Sequence, residues 1–299
     1  MRELVRIGLV LEGGGMRGVY TGGILEYFLE QNLHFPYIVG VSAGACNASS
    51  YISKQKGRNK AVTVDYAGHP EYISFKRLIR NGELFNMDLI FDRIPNKENL
   101  FDYDNFFKSK QRFYIGTTDC KTGETLYYEK NELADQLNKI LRASCSLPMV
   151  APVIEHNNRP LLDGGISEPI PINKSLADGN EKHVIILTQC EGYVKKPVKR
   201  GKWWFKQKYK NYPGLINIVE NRYKTYNDTI EQVKQLEKEG KAFVFRPEDL
   251  REVTRIERRK DRLQALYDHG YEQAREHFEE LRSFIDDSLV RPPMEKKTT

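Results

Sequence analysis

The sequence predicts an α/β fold around a mainly parallel sheet, continued by a mainly helical C-terminal segment. Three observations carry this. An apolar run, Val5 to Leu11, is followed at once by a glycine loop, Gly13 to Gly18. Val19 to Gln31 then has helical spacing, with Ile24, Leu25, Phe28 and Leu29 on one face. A second apolar run, Tyr37 to Val41, stops at Ser42 and passes into the small residues Ala43 to Cys46. Strand, glycine turn, helix, strand, tight turn, helix is the alternation of an α/β sheet.

Further along, 53–111 is charged and aromatic with weak periodicity, and is expected to hold short helices shaping a substrate cleft. Arg112 to Thr118 and Thr125 to Tyr128 read as a strand pair around Lys121-Thr122-Gly123. Glu132 to Arg142 reads as a helix, with Leu133, Leu137, Ile140 and Leu141 inward. Val184 to Thr188 reads as another buried strand. Tyr223 to Glu239 and Arg255 to Asp287 are charged, with apolar residues at helical intervals, and a strand-like Ala242 to Phe245 lies between them. The predicted organisation is an α/β domain over 1–192, a mainly helical module over 193–290 and a disordered tail over 291–299.

At 299 residues the chain can bury a large core. Its apolar runs fall far short of the roughly 18 residues that span a bilayer. Arg2 and Arg6 flank Glu3, and Glu12 ends the first apolar run too early for a secretory signal, so a cytoplasmic location is expected. Cys46, Cys120, Cys145 and Cys190 are scattered singly, which suits four buried, reduced thiols and no structural metal. Net charge is +6, yet Lys195 to Lys210 alone carries eight basic residues and no acid; without them the remainder would be −2. Such local basicity points to one contact surface and away from a polycationic nucleic-acid binder.

Gly13-Gly14-Gly15-Met16-Arg17-Gly18 satisfies the GxGxxG pattern between a strand and a helix, where a dinucleotide turn belongs. That reading needs an acid at the end of the second strand, and Tyr37 to Val41 has none. A P-loop fails too, because no Lys-Ser or Lys-Thr follows the last glycine. The end of the second strand instead carries Gly40-Val41-Ser42-Ala43-Gly44, a GxSxG elbow that sets a serine hydroxyl at a helix N-terminus. Its bland alternative is a turn in which Ser42 only caps the helix. Beside a nucleophile, the glycine loop has another use: Gly13, Gly14 and Gly15 present amides without side chains, as an oxyanion hole requires. Arg17 either anchors that loop, neutralises charge nearby, or is a surface arginine at a helix start.

None of the six histidines (34, 69, 156, 183, 269 and 277) stands in a glycine-framed turn, and each reads as structural or solvated. His156 falls in a predicted polar turn. Asp163 is the better base candidate, delivered by Leu161 and Leu162 to the end of a short strand and turned away by Gly164 and Gly165. Alone, that stretch is a plain Asp-Gly-Gly turn.

GGGMRG, GVSAG and DGG in this order, with Arg142 to Pro148 (RASCSLP) ahead of the last, resemble the three motifs of the patatin-like phospholipases. The resemblance covers about Ile7 to Cys190. LEGGGMRGVYTGG and the stretch Leu266-Tyr267 to Gly270-Tyr271 resemble a bacterial branch with a helical C-terminal extension. The resemblance implies a three-layer α/β/α fold and a Ser–Asp dyad without histidine. Ser42 would be the nucleophile, Asp163 the base and the Gly13–Gly15 amides the oxyanion hole. Arg17, Gly18, Gly40, Gly44, Gly164 and Gly165 would support the motifs. It further implies a lipid acyl-ester substrate and no cofactor. A peptidase is disfavoured, since amide cleavage needs an acid for the leaving amine; a silent binding module and a non-lipid esterase or acyltransferase remain as alternatives. Trp203, Trp204 and Phe205 among lysines have the make-up of an interfacial anchor on an anionic membrane, or else of a linker whose aromatic pair packs on the core.

Overall fold

Strands β1 (Ile7–Leu11) and β2 (Tyr37–Val41) are buried along their whole length, as strands covered on both faces must be. Side chains alternate between two apolar layers: Leu9, Leu11 and Ile38 enter one cluster, Val10 and Val39 the other. The computed structural model describes residues 6–198 and 201–286, so the expected tail at 291–299 lies outside the described residues. Six further strands complete the sheet: β3 (Arg112–Asp119), β4 (Thr125–Glu129), β5 (Ile154–His156), β6 (Arg159–Asp163), β7 (Lys182–Ile186) and β8 (Ala242–Phe245). Their order is β5-β6-β3-β2-β1-β7-β8, with β4 also paired to β3. β3, β2, β1, β7 and β8 run parallel, and β4, β5 and β6 join antiparallel. Helices cover both faces, as the α/β expectation requires. His156, expected in a turn, is the last residue of β5 and packs edge-on against Tyr128.

The long strand β3 brings two chain ends together. Tyr114 to Gly116 pair with β2 on one edge and with β4 on the other. Thr117 pairs with both Leu126 of β4 and Asp163 of β6, so β6 must occupy the edge that β2 vacates after Val41. β2 and β6 therefore run toward each other along one edge of β3. Their ends, Val41 opposite Gly116 and Asp163 opposite Thr117, fall at neighbouring registers.

The region after Gly192 is mainly helical but is built into the same core. The helix Pro213–Lys238 is the crossover that parallel strands require between β7 and β8, and its Tyr226 and Val233 join the cluster of Val10 and Val39. On the opposite face the helix Lys260–Glu276 packs on α1 (Val19–Glu30), with Leu263, Leu266 and Tyr267 in the larger cluster. Contact there is close: a Cβ on Gly23 would collide with the Tyr267 carbonyl, and one on Gly270 with the Tyr20 carbonyl. No helix among the described residues is long and apolar enough to cross a membrane.

Candidate active site

Ser42 closes β2 and precedes α2 (Ala43–Ile52) with φ +54° and ψ −130°, a conformation that costs a side-chain-bearing residue of order 1–3 kcal/mol. The surroundings hold it there. Its amide donates to Ser144 Oγ (2.8 Å), and that hydroxyl donates to the Gly116 carbonyl on β3 (2.7 Å). Close approach around the elbow leaves no room for side chains: a Cβ on Gly44 would lie 2.7 Å from the Leu11 carbonyl, and one on Gly40 2.9 Å from the Ala45 amide. Gly13 meets Ser42 itself and Gly18 meets Ala43, so the loop after β1 and the elbow after β2 pack face to face.

Asp163 ends β6 and is 2% exposed. Its amide donates to Ser146 O (2.8 Å), and Thr118 Oγ1 donates to its carbonyl (2.8 Å). Oδ1 accepts the Gly165 amide at 2.7 Å, while Oδ2 is buried without a hydrogen-bond partner. Gly164 allows the turn, since a Cβ there would strike the Gly116 carbonyl. Burial raises the Asp163 pKa above the ordinary carboxylate value; the Ser42 hydroxyl, Arg222, the Gly165 amide and Arg255 pull it partly back. Ser42, Asp163, Gly13, Gly14, Gly15 and Gly165 line one small cavity of about 20 Å³, together with Leu147, Arg222 and Arg255.

In the glycine loop, Gly15 has φ +58°, which turns the chain into the helical segment beyond. The Gly13 amide, expected among the oxyanion donors, already donates to the Pro169 carbonyl at 3.2 Å. Those of Gly14 and Gly15 donate to no described group. The loop is tied down through Glu12, whose Oε2 accepts the Thr188 amide at 2.5 Å, and through Thr188 Oγ1, which donates to the Gly13 carbonyl. Burial raises the Glu12 pKa against the opposing pull of the Thr188 amide and Arg17. Arg17 is not a surface residue: it is 6% exposed, and its Nε and Nη2 are buried without partners.

No histidine lines this cavity. His183, fully buried, meets Ser175 Oγ at 3.1 Å, and burial presses its pKa to about 4. The thiols of Cys46 and Cys145 lie 3.5 Å apart, so the cysteines are not all solitary, and Cys120 alone is fully buried.

A groove of about 510 Å³ adjoins the cavity, sharing Leu147 and Arg222 with it. Its apolar lining is Leu147, Pro148, Met149, Ile166, Val198, Trp204, Phe205 and Val219, and Lys195, Lys196, Lys202, Lys206 and Arg222 are its cations. None of its lining comes from 53–111; that stretch packs into the larger cluster on one face of the sheet instead, contrary to the expected cleft. Trp203 and Trp204 are 61% and 68% exposed, on a helix of their own, Lys202–Lys208, so the pair does not pack on the core.

Sequence reasoning passed over Ser144, Arg222 and Arg255. Ser144 stood inside the quoted RASCSLP stretch with no sign of which serine holds the elbow. Arg222 Nε donates to the Gly165 carbonyl at 2.6 Å. The Arg255 carbonyl accepts the Met16 amide at 3.1 Å. Both arginines sit among many charges in the C-terminal region, and nothing local marks them.

A model of the patatin-like phospholipase family matches residues 9–175, and that of a domain of unknown function, DUF6363, matches 212–286. The uncharacterized protein YjjU of Escherichia coli (strain K12) is 29% identical over 232 residues, 75% of this chain and 63% of that protein. The probable lipid hydrolase 463L of Invertebrate iridescent virus 6 is 26% identical over 198 residues, 58% of this chain and 65% of that protein. Lysophospholipase NTE1 of Saccharomyces cerevisiae is 26% identical over 183 residues, 58% of this chain and 10% of that protein. The chain thus spans less than two thirds of each of these relatives. The family match runs through all three glycine-framed turns and over more than half of the sequence, and the chain belongs to the patatin-like phospholipase family.

Proposed function

We propose that the protein is a serine acyl-ester hydrolase of the phospholipase A or lipid esterase type. Ser42 is the nucleophile, Asp163 the general base, and the Gly14 and Gly15 amides the oxyanion hole, with Gly13 completing the turn. One observation carries the reading: a hydroxyl on a strained elbow and a buried carboxylate with a free oxygen line the same cavity as two amides without acceptors.

Asp163 Oδ2 takes the hydroxyl proton as Ser42 Oγ bonds to the acyl carbon. The carbonyl oxygen becomes an oxyanion beside the glycine amides. The C–O bond to the alcohol breaks, and the alcohol leaves with the proton from Asp163. Water then attacks acyl-Ser42, gives its proton to Asp163, and releases the fatty acid as Ser42 is reprotonated. A carboxylate is intrinsically a weaker base than imidazole, with reference pKa values of about 3.9 and 6.5. Burial narrows that gap at Asp163.

The apolar groove beside Ser42 supports an acyl chain as the bound part of the substrate, and the lipid hydrolases among the relatives support the same substrate class. The exposed Trp203 and Trp204 among lysines support a peripheral contact with anionic membrane through the Lys195–Lys210 segment. A fluorophosphonate probe is expected to label the wild type at Ser42. Ser42→Ala should abolish labelling and lower ester hydrolysis by about a thousandfold or more. Labelling of neither protein would leave a binding module as the reading, and equal labelling of both would put the nucleophile elsewhere.

A further inference from the structure

The cavity that holds Ser42 and Asp163 is walled on one side by two arginines that the hydrolytic steps do not use. Arg222 comes from the helix Pro213–Lys238 and Arg255 from the segment before the helix Lys260–Glu276, both within the stretch matched as a domain of unknown function. Arg222 spends only Nε on the Gly165 carbonyl. Neither arginine, nor Arg17 beside them, forms an ion pair with a described carboxylate, and two of the Arg17 nitrogens are buried with no partner at all. Lys195, on the rim of the adjoining groove, adds a fourth cation.

Such crowding of like charges is unfavourable. Burial and then Arg255 lower the Arg222 pKa to about 10, and burial followed by Arg222 and Arg255 lowers that of Lys195 to about 7. The two carboxylates within reach, Glu12 and Asp163, are themselves buried, and one is assigned to catalysis. Arg17, Lys195, Arg222 and Arg255 outnumber those two carboxylates. Such an excess of positive charge around a partly dry cavity forms a site for an anion, and guanidinium donors suit a phosphate in particular.

We propose that Arg222 and Arg255 form a phosphate-recognition subsite through which the C-terminal segment selects acyl esters with a net anionic headgroup. The inference rests on the reading of Ser42 and Asp163 and adds the headgroup class to it. The acyl chain lies in the groove lined by Leu147, Ile166 and Phe205, and the phosphate meets the arginines across the ester from it. Zwitterionic and uncharged headgroups bind less well, the first because its own cation approaches the same cluster, the second because it leaves the cluster unpaired.

Binding tests this without turnover. Calorimetric titration of the Ser42→Ala protein would use lysophosphatidic acid, lysophosphatidylcholine and monoacylglycerol with one acyl chain, and the free fatty acid as a fourth ligand. Lysophosphatidic acid should bind about tenfold or more tighter than the second and third ligands, and high salt should erode the difference. Adding Arg255→Gln should remove most of the difference, and Arg255→Lys should keep part of it. Fatty acid binding as tightly as lysophosphatidic acid would make the cluster a product carboxylate site and overturn the headgroup assignment. So would equal affinity for all ligands, or an equal loss for all of them in Arg255→Gln. Should Ser42→Ala discriminate as expected while the wild type hydrolyses no ester, the catalytic reading fails and the subsite stands.

Discussion

At the scale of single residues, Asp163 shows the conflict between stability and chemistry most directly. Burial favours its neutral form in the folded protein, so the folded pKa lies above that of the unfolded chain. At pH below the unfolded value both states hold the proton and nothing is lost. As pH rises, the unfolded chain ionises first and stability declines, until the folded carboxyl ionises too and the penalty becomes constant. Neutral pH is therefore where the ionised base is needed and where it destabilises. Asp163→Asn keeps the Oδ1 bond to the Gly165 amide and removes the charge. Its melting temperature at pH 7 should rise, while hydrolysis falls by about a thousandfold. In the wild type, kcat/KM should fall on the acid side through a pKa above the ordinary carboxylate value. A variant melting below the wild type, or an acid limb at the ordinary value, would contradict this account. Asp163 is legible in the sequence, because Asp-Gly-Gly after two leucines announces the strand end. Ser144 is not, because any of several small polar residues nearby could have held the elbow.

At the scale of elements, the site depends on how α1 is seated, since that helix follows directly from the glycine loop. Its face toward the helix Lys260–Glu276 sets Gly23 against the Tyr267 carbonyl and the Tyr20 carbonyl against Gly270. Backbone carbonyls there cannot move aside as a flexible side chain could. Alanine would gain up to about 1 kcal/mol of helix propensity at each glycine, and overpacking costs typically 1–3 kcal/mol or more against rigid backbone. Gly23→Ala and Gly270→Ala should each lower unfolding stability by about 1–3 kcal/mol in urea titrations. The double variant should lose less than the sum, because separating the helices once relieves both clashes. A change within experimental error at both positions would show that the helices slide apart freely. The glycines of TGG and HGY stand out in the sequence, but which helix faces which is a long-range pairing that no local pattern encodes.

At the scale of the whole molecule, the basic segment lines the groove that adjoins the Ser42 cavity, so one surface carries both the exposed tryptophans and the proposed acyl-chain groove. Among the described residues, Glu220 is the acidic partner of Lys206 and Lys202, which leaves the local charge positive. The protein is expected to sediment with vesicles containing phosphatidylglycerol and to be released by about 1 M salt, where the Debye length falls to about 3 Å. Trp203→Ala together with Trp204→Ala should weaken that binding at low salt as well. Equal sedimentation with purely zwitterionic vesicles would sink the electrostatic part of the argument.

By itself the sequence determined what short-range backbone geometry dictates: the first strands, the elbow at Ser42, the turn after Asp163 and the glycine loop. Each needs small residues at fixed spacing, and such a need leaves a local signature. Only the tertiary structure decided that β2 and β6 meet end to end on β3, and that Gly13 donates elsewhere. It alone showed that the groove is built from 147–149, Ile166 and the C-terminal region and not from 53–111, and that Arg222 and Arg255 reach the cavity. A cation or an apolar wall can be supplied from any packed element, so its place is set by contacts distant in the chain, which spacing does not record.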